Sequence, residues 1–244
     1  MRRYAKLRGL VGLLLLTALL MAWDGNAKAV INKLSRAFEG GPRTIYVFPR
    51  GISRNLASGE VNLLSDPGFE EANVKICTFE CNAASGWSLE HFSTGAPTIY
   101  RTRHGVVTGS YAEALSYRGE KGDNGVHKDV ELYHGAVGPD TRPGHELTFT
   151  LWVSGTCVRC TPFVGIEAFD LKNHYLGESD QFFSPPKRPK AVRVSYMLPV
   201  GTVVVAAYIQ VPELYSFSRV HLIVDDAMLV ASLKTYPAPK PTYK

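Results

Sequence analysis

Asn62-Leu-Leu-Ser-Asp-Pro-Gly-Phe-Glu70, followed by Gly86-Trp87, is the stretch on which the fold reading turns. Leu63 and Leu64 open a short apolar strand, and Asp66-Pro67-Gly68 breaks it. Proline presets φ in such a turn, and glycine supplies a position where φ > 0 is called for. Phe69 returns the chain to a core and leaves Glu70 as a carboxylate at a strand end. A second carboxylate pair, Asp225-Asp226, stands inside the last apolar strand.

Working outward from there, the chain after residue 61 consists of short strand-forming runs separated by Gly, Pro, Asn and Asp. That spacing predicts an antiparallel sandwich or barrel. Alternation is clean in two places. Leu147, Phe149, Leu151 and Val153 share one face, with Thr148, Thr150 and Trp152 on the other. Val203, Val205, Ala207, Ile209 and Val211 likewise oppose Val204, Ala206, Tyr208 and Gln210.

The opening "N-L-L-x-x-x-G-F-E … G-W" and the closing Val224-Asp225-Asp226 resemble the carbohydrate-binding modules of the galactose-binding-domain-like type (CenC-like). The interior agrees. Gly109–Leu115, Gly125–Val130 and the run from Pro143-Gly144 to Val153 resemble that family's successive strand motifs in the same order. The match covers residues 61–231. Lys128 stands where the family often has Gln and Leu147 where it often has an aromatic, so ligand identity does not carry over. The resemblance implies an all-β fold, an antiparallel jelly-roll β-sandwich over residues 61–233. Its first and last strands would run side by side, bringing Glu70 near Asp225, where the family often holds a structural Ca²⁺. Hard oxygen ligands suit that ion; the plainer alternative is a pair of solvated strand-end carboxylates.

The flanks read separately. Residues 1–29 carry a basic start, the uncharged apolar run Leu10–Trp23 and Ala27-Lys28-Ala29, the pattern of a secretory signal peptide. That run of 14 is short for a bilayer span of ~20 residues, although an uncleaved membrane anchor is the alternative. Either way the rest is expected to be secreted or at the cell surface. Residues 30–60 read as a linker, with a short helix over Ile31–Phe38 and an edge strand for the sandwich at Thr44–Phe48. The Pro-rich residues 234–244 read as an extended, disordered tail. Of the net charge of +5, residues 1–29 contribute +4; the remainder has 22 basic and 21 acidic residues. So neutral a body excludes a broad nucleic-acid footprint.

Four cysteines form two close pairs, Cys77/Cys81 and Cys157/Cys160. In an exported chain they read as disulfides, and cross-links between the two loops would constrain the unfolded chain more than local rings. A four-thiolate Zn²⁺ site is the alternative.

Sugar binding needs aromatic faces against the pyranose C–H surface, with polar groups beside them to fix the hydroxyls. Trp152, Glu167, Phe169, Tyr208 and Gln210 fall opposite the apolar register of their strands, and His127 adds a hydrogen-bonding group on a neighbouring strand. Phe169 is included without a parity argument tying it to Glu167. The bland alternative is that Trp152 and Tyr208 merely cover an outer sheet face. Trp87 reads as core. No nucleophile elbow, His-Glu-x-x-His or phosphate loop is present. Glu113, Glu131 and Glu167 would make a glycosidase pair only if two carboxyls met in a cleft. The expectation is an exported, non-catalytic glycan or polysaccharide binder. The runner-up is a self-assembling structural subunit of an extracellular polymer, joined through Thr44–Phe48 donated as a strand.

Overall fold

The computed structural model describes residues 34–38, 41–45, 62–70, 75–76, 80–84, 86–125 and 128–242. In chain order the strands are β1 (Leu34–Phe38), β2 (Gly41–Ile45), β3 (Lys75–Ile76), β4 (Glu80–Ala84), β5 (Trp87–His91), β6 (Thr98–Thr102) and β7 (Ala112–Arg118). They continue with β8 (Val130–Val137), β9 (His145–Val158), β10 (Phe163–Phe169), β11 (Tyr175–Phe182), β12 (Lys190–Met197), β13 (Val204–Val211) and β14 (Arg219–Thr235). Two antiparallel six-stranded sheets form, the first ordered β11-β10-β13-β8-β5-β4 and the second β12-β9-β14-β7-β6-β3. The all-β expectation holds over the described residues, where the only helical element is a 3₁₀ turn at Pro139–Thr141. The expected signal or anchor at 1–29 lies outside the described residues.

The core sits between the sheets and follows the period-2 alternation. Leu147, Phe149, Leu151 and Val153 of β9 face Val205, Ala207, Ile209 and Val211 of β13, all in one buried cluster. Trp87 is fully buried, its ring 4.8 Å from that of Phe69. Chain start and chain end meet. The Leu63 N–H donates to the Leu229 carbonyl (2.8 Å), and Asn62 bridges to the Ala227 carbonyl and the Leu229 N–H. The opening stretch is a buried turn rather than a strand. Its Phe69 N–H closes on the Asp66 carbonyl at 3.1 Å, and the left-handed residues are Asp66 (φ 40°) and Phe69 (φ 51°) rather than Gly68. A turn with Pro second and no left-handed residue third places no demand on Gly68.

Gly86 does carry such a demand. Its φ is +84°, and an added Cβ would lie 1.9 Å from Ser65 Oγ and 2.4 Å from His134 Nε2. That imidazole accepts the Ser65 N–H (3.1 Å) and packs edge-on against Trp87. Burial pushes its pKa down to about 4, so it is neutral.

The flanks differ from expectation in the short helix and in the tail. Leu34–Phe38 is a strand, not a helix, and it pairs with Gly41–Ile45 in a separate two-stranded sheet; Tyr46–Phe48 of the expected edge strand lie outside the described residues. The Pro-rich end is docked rather than loose. The Tyr236 N–H reaches the Gly144 carbonyl, the Val200 N–H the Pro239 carbonyl, and the Thr242 N–H the Leu176 carbonyl.

Candidate functional site

Register assembles the site on the face of the first sheet that points away from the core. Strand partners directly opposite one another have side chains in contact on one face. One row runs Glu90, Glu131, Gln210, Phe163, Phe182 across β5, β8, β13, β10 and β11. The next runs Ser88, Tyr133, Tyr208, Gly165, Asp180. Below them Ala206, Glu167 and Glu178 align, and then Val204, Phe169 and Tyr175. The rings form an apolar cluster of their own. Phe163 packs 4.8 Å from Phe182 and 5.8 Å from Tyr208, and Phe169 lies 6.1 Å from Tyr175.

Polar groups are threaded through this cluster. Tyr208 Oη donates to Asp180 Oδ1 at 2.6 Å, and Gln210 Nε2 donates to Asp129 Oδ2 at 2.6 Å. Burial holds the Tyr208 phenol well above its usual pKa, and the carboxylates of Glu167, Asp180 and Glu178 push it the same way. Glu90, Glu131 and Glu167 are buried although they point outward. The face is therefore acidic as well as aromatic.

Of the expected platform, Glu167, Phe169, Tyr208 and Gln210 are brought together. Glu167 and Phe169, two apart on β10, share the face by parity after all. Trp152 is not part of it: it lies on β9 of the second sheet, opposite Asp225 and Ala191 and half-buried on that sheet's outer side. Opposing the apolar register places a residue on an outer face but not on which of the two. His127 lies outside the described residues. Glu113, Glu131 and Glu167 do not meet one another. Glu113 faces the core from β7, while Glu131 and Glu167 are two strands and four residues apart, roughly 16 Å. Sequence reasoning missed Glu90, Tyr133, Glu178 and Asp180, whose signal was the same parity in β5, β8 and β11.

A second exposed aromatic group went unnoticed in the sequence. Tyr215 and Phe217 stack with ring planes at 4° and centroids 5.3 Å apart, and the Arg159 guanidinium sits 4.6 Å from the Phe217 centroid. Arg159 is held in the turn closed by the Cys157–Cys160 disulfide. That bond joins neighbours rather than the two cysteine loops, which corrects the expected cross-linking. It also takes up two of the thiolates a four-cysteine zinc site would draw on. Cys77 and the Cys81 side chain lie outside the described residues.

Glu70 and Asp225 do converge, on the loop 105–111. Glu70 Oε1 accepts the Ser110 and Tyr111 N–H groups (2.7 and 3.2 Å), and Asp225 Oδ2 accepts those of Val107 and Thr108 (2.6 and 3.1 Å). Asp225 Oδ1 takes the Asp226 N–H at 2.8 Å. Glu70 Oε1 and both Asp225 oxygens are thus engaged by N–H donors, and no three metal-binding side chains converge among the described residues. The two carboxylates act as latches for the loop.

No protein-family model matches the chain, and no curated protein matches it. Solved structures do. The enzymatically active domain of tailspike protein 4 of bacteriophage CBA120 is similar with a TM-score of 0.52 and 13% identity. The match covers 70% of this chain, which spans only 21% of that one. A carbohydrate-binding module, TmCBM61 in complex with β-1,4-galactotriose, is similar at TM-score 0.44 and 17% identity, over 69% of this chain and 97% of its own. An apo cyclase from Fischerella sp. is similar at TM-score 0.49 and 15% identity, over 72% and 98%. At 13% identity the likeness to the tailspike domain is one of fold alone.

Proposed function

We propose that this chain is an exported protein that holds a glycan on the outward face of its first sheet without transforming it. The observation that carries the reading is the Tyr133–Tyr208–Phe163–Phe182 run of rings with Asp180, Gln210 and Asp129 hydrogen-bonded beside it. Aromatic quadrupoles attract the positive C–H face of a pyranose, and carboxylate and amide groups fix its hydroxyls. The motif resemblance supports the same conclusion. Most rings are buried, so contact begins at the rim, where Phe182 is 55% exposed.

The test is a glycan array on wild type, Phe182→Ala, Tyr208→Phe and Trp152→Ala. Binding is expected to fall about tenfold or more for the first two, as for loss of a stacked ring or a buried hydrogen bond, and to be unchanged for Trp152→Ala. Loss only on Trp152→Ala would move the site to the other sheet; turnover of a bound glycan would remove the non-catalytic half of the reading.

A further inference from the structure

The Cys157–Cys160 turn and the loop before β14 build a second exposed patch, at one end of the second sheet. Arg219 of β14 has Arg118 of β7 and Val158 of β9 as its direct partners, so the three side chains share that sheet's outer face. The loop between β13 and β14 adds Tyr215 and Phe217. The patch is held firmly. Ser218 Oγ, fully buried, accepts the Tyr215 N–H at 3.0 Å and donates to the Arg159 carbonyl at 3.2 Å, tying loop to turn. Arg219 donates to the carbonyls of Ser216 and Ser218. The Tyr215 ring lies on Gly125, where an added Cβ would come within 2.3 Å of it.

To solvent this patch is both apolar and positive. Val158 is 51% exposed, Phe217 45% and Tyr215 36%, and Arg118 and Arg159 are exposed beside them. Arg118 and Arg219 stand directly opposite one another, a like-charge pairing that destabilises a sheet until an anion joins it. None of the three arginines makes an ion pair among the described residues. Nor do Glu120 and Glu213 at the same end pair with them, and Asp123 is turned inward to the Tyr117 phenol and the Thr94 and Glu120 N–H groups.

The chemistry of the occupant follows. Tyr215 and Phe217 face each other at 4°, and the Arg159 guanidinium takes Phe217 at 4.6 Å, so the patch offers ring edges rather than the open ring face a pyranose stacks on. A specific protein partner needs about 800 Å² on each side, far more apolar surface than three half-exposed side chains provide. Insertion into a lipid interface adds up side chain by side chain, and arginines beside the inserted tips meet its phosphates. We propose that this end of the sandwich seats on an anionic lipid surface, with Val158, Tyr215 and Phe217 entering the headgroup boundary and Arg118, Arg159 and Arg219 meeting phosphate groups. The seat lies on the second sheet, away from the glycan face, and stands without the function proposed above.

Hydrogen exchange on the full chain, with vesicles of phosphatidylcholine and phosphatidylglycerol in equal parts, tests it. Residues 1–29 are themselves basic and apolar, so the readout is local protection rather than retention on vesicles. Exchange is expected to slow over Val158–Cys160 and Tyr215–Ser218, and not on phosphatidylcholine alone. Arg118→Glu with Arg159→Glu should lower the protection gained about tenfold or more, two charges being reversed at an anionic surface. Phe217→Ser should lower it by about the same factor, as for withdrawing a ring from the interface. Both variants change exposed side chains only, and an unshifted Tm is the check on folding. Exchange unchanged at either segment, equal protection on phosphatidylcholine alone, or protection that survives the charge reversal would overturn the proposal. Protection produced equally by soluble polygalacturonate and indifferent to Phe217→Ser would overturn it too, assigning the patch to an acidic polysaccharide.

Discussion

Tyr208 and Asp180 bond to one another across an intervening strand, the phenol passing over Gly165, which is the Cα partner of both. An added Cβ at Gly165 would lie 2.4 Å from the Tyr208 ring and 2.5 Å from Asp180 Oδ1. Gly165→Ala should therefore cost ~2–3 kcal/mol, as for overpacking with loss of a buried bond. At this chain length that is a Tm drop of about 4–12 °C by calorimetry. Unchanged Tm would show that the ring and carboxylate are not seated as described.

The two glycines of the opening motifs should behave oppositely. Gly86→Ala forces a Cβ into Ser65 and His134 at a left-handed φ and is expected to cost at least ~3 kcal/mol. At Gly68 the nearest atom to an added Cβ is 3.8 Å away and φ is not left-handed, so alanine should change stability by less than about 0.5 kcal/mol. Chemical denaturation of both variants distinguishes them.

Glu113 shapes the pH profile. It is fully buried against the core, neither oxygen has a hydrogen-bond partner among the described residues, and burial, with Asp66 adding to it, raises its pKa to about 9. The folded state keeps its proton, so its contribution is complete below the unfolded pKa and is lost as pH rises toward 9. His134, depressed to about 4, acts the other way, losing stability as pH falls below the unfolded histidine value. The two offset each other between about pH 4.5 and 6.5, the unfolded values of a glutamate and a histidine. Above that range the Glu113 contribution is no longer offset by His134 and has a slope of about −1.4 kcal/mol per pH unit up to pH 8.5. Glu113→Leu should abolish that slope in urea melts at pH 7 and 8.5; an equal slope in the variant would place the titration elsewhere.

The latch between Glu70, Asp225 and the loop 105–111 makes a prediction about metal. With Glu70 Oε1 and both Asp225 oxygens accepting N–H donors, a chelator is expected to leave the Tm unshifted, while Asp225→Asn should destabilise by ~1–3 kcal/mol because one of the two acceptor oxygens becomes an NH₂ facing N–H groups. A Tm that rises with added Ca²⁺ and falls on chelation would restore the calcium reading.

Much of the fold was legible because period-2 alternation in β9 and β13 identifies an inner face regardless of context. The meeting of Asn62 with β14 followed from the motif resemblance. What the alternation could not supply was sheet membership. Trp152 and Tyr208 both oppose an apolar register, yet strand order assigns them to opposite outer surfaces. The carboxylates Glu90, Glu178 and Asp180 were equally hidden, because a row across five strands is a property of register and no one strand records it. Leu34–Phe38 misled as a helix because its apolar spacing suits either period over so short a run. Cys157 and Cys160 were read through loop-closure entropy, which favours long loops, whereas a β9 end turning on itself places the two sulfurs together.

The docked C-terminal residues have a bearing on assembly. They tie the loop after β12 to Leu176 of β11, the outermost strands of the two sheets on one flank, so that the chain itself occupies this end of the seam. A neighbour seeking main-chain bonds would have to enter from the opposite flank, at the short β3 and β4, or first peel the terminal prolines away. Main-chain pairing through the one receptive flank would join two copies edge to edge and then stop, a closed pair rather than a growing filament.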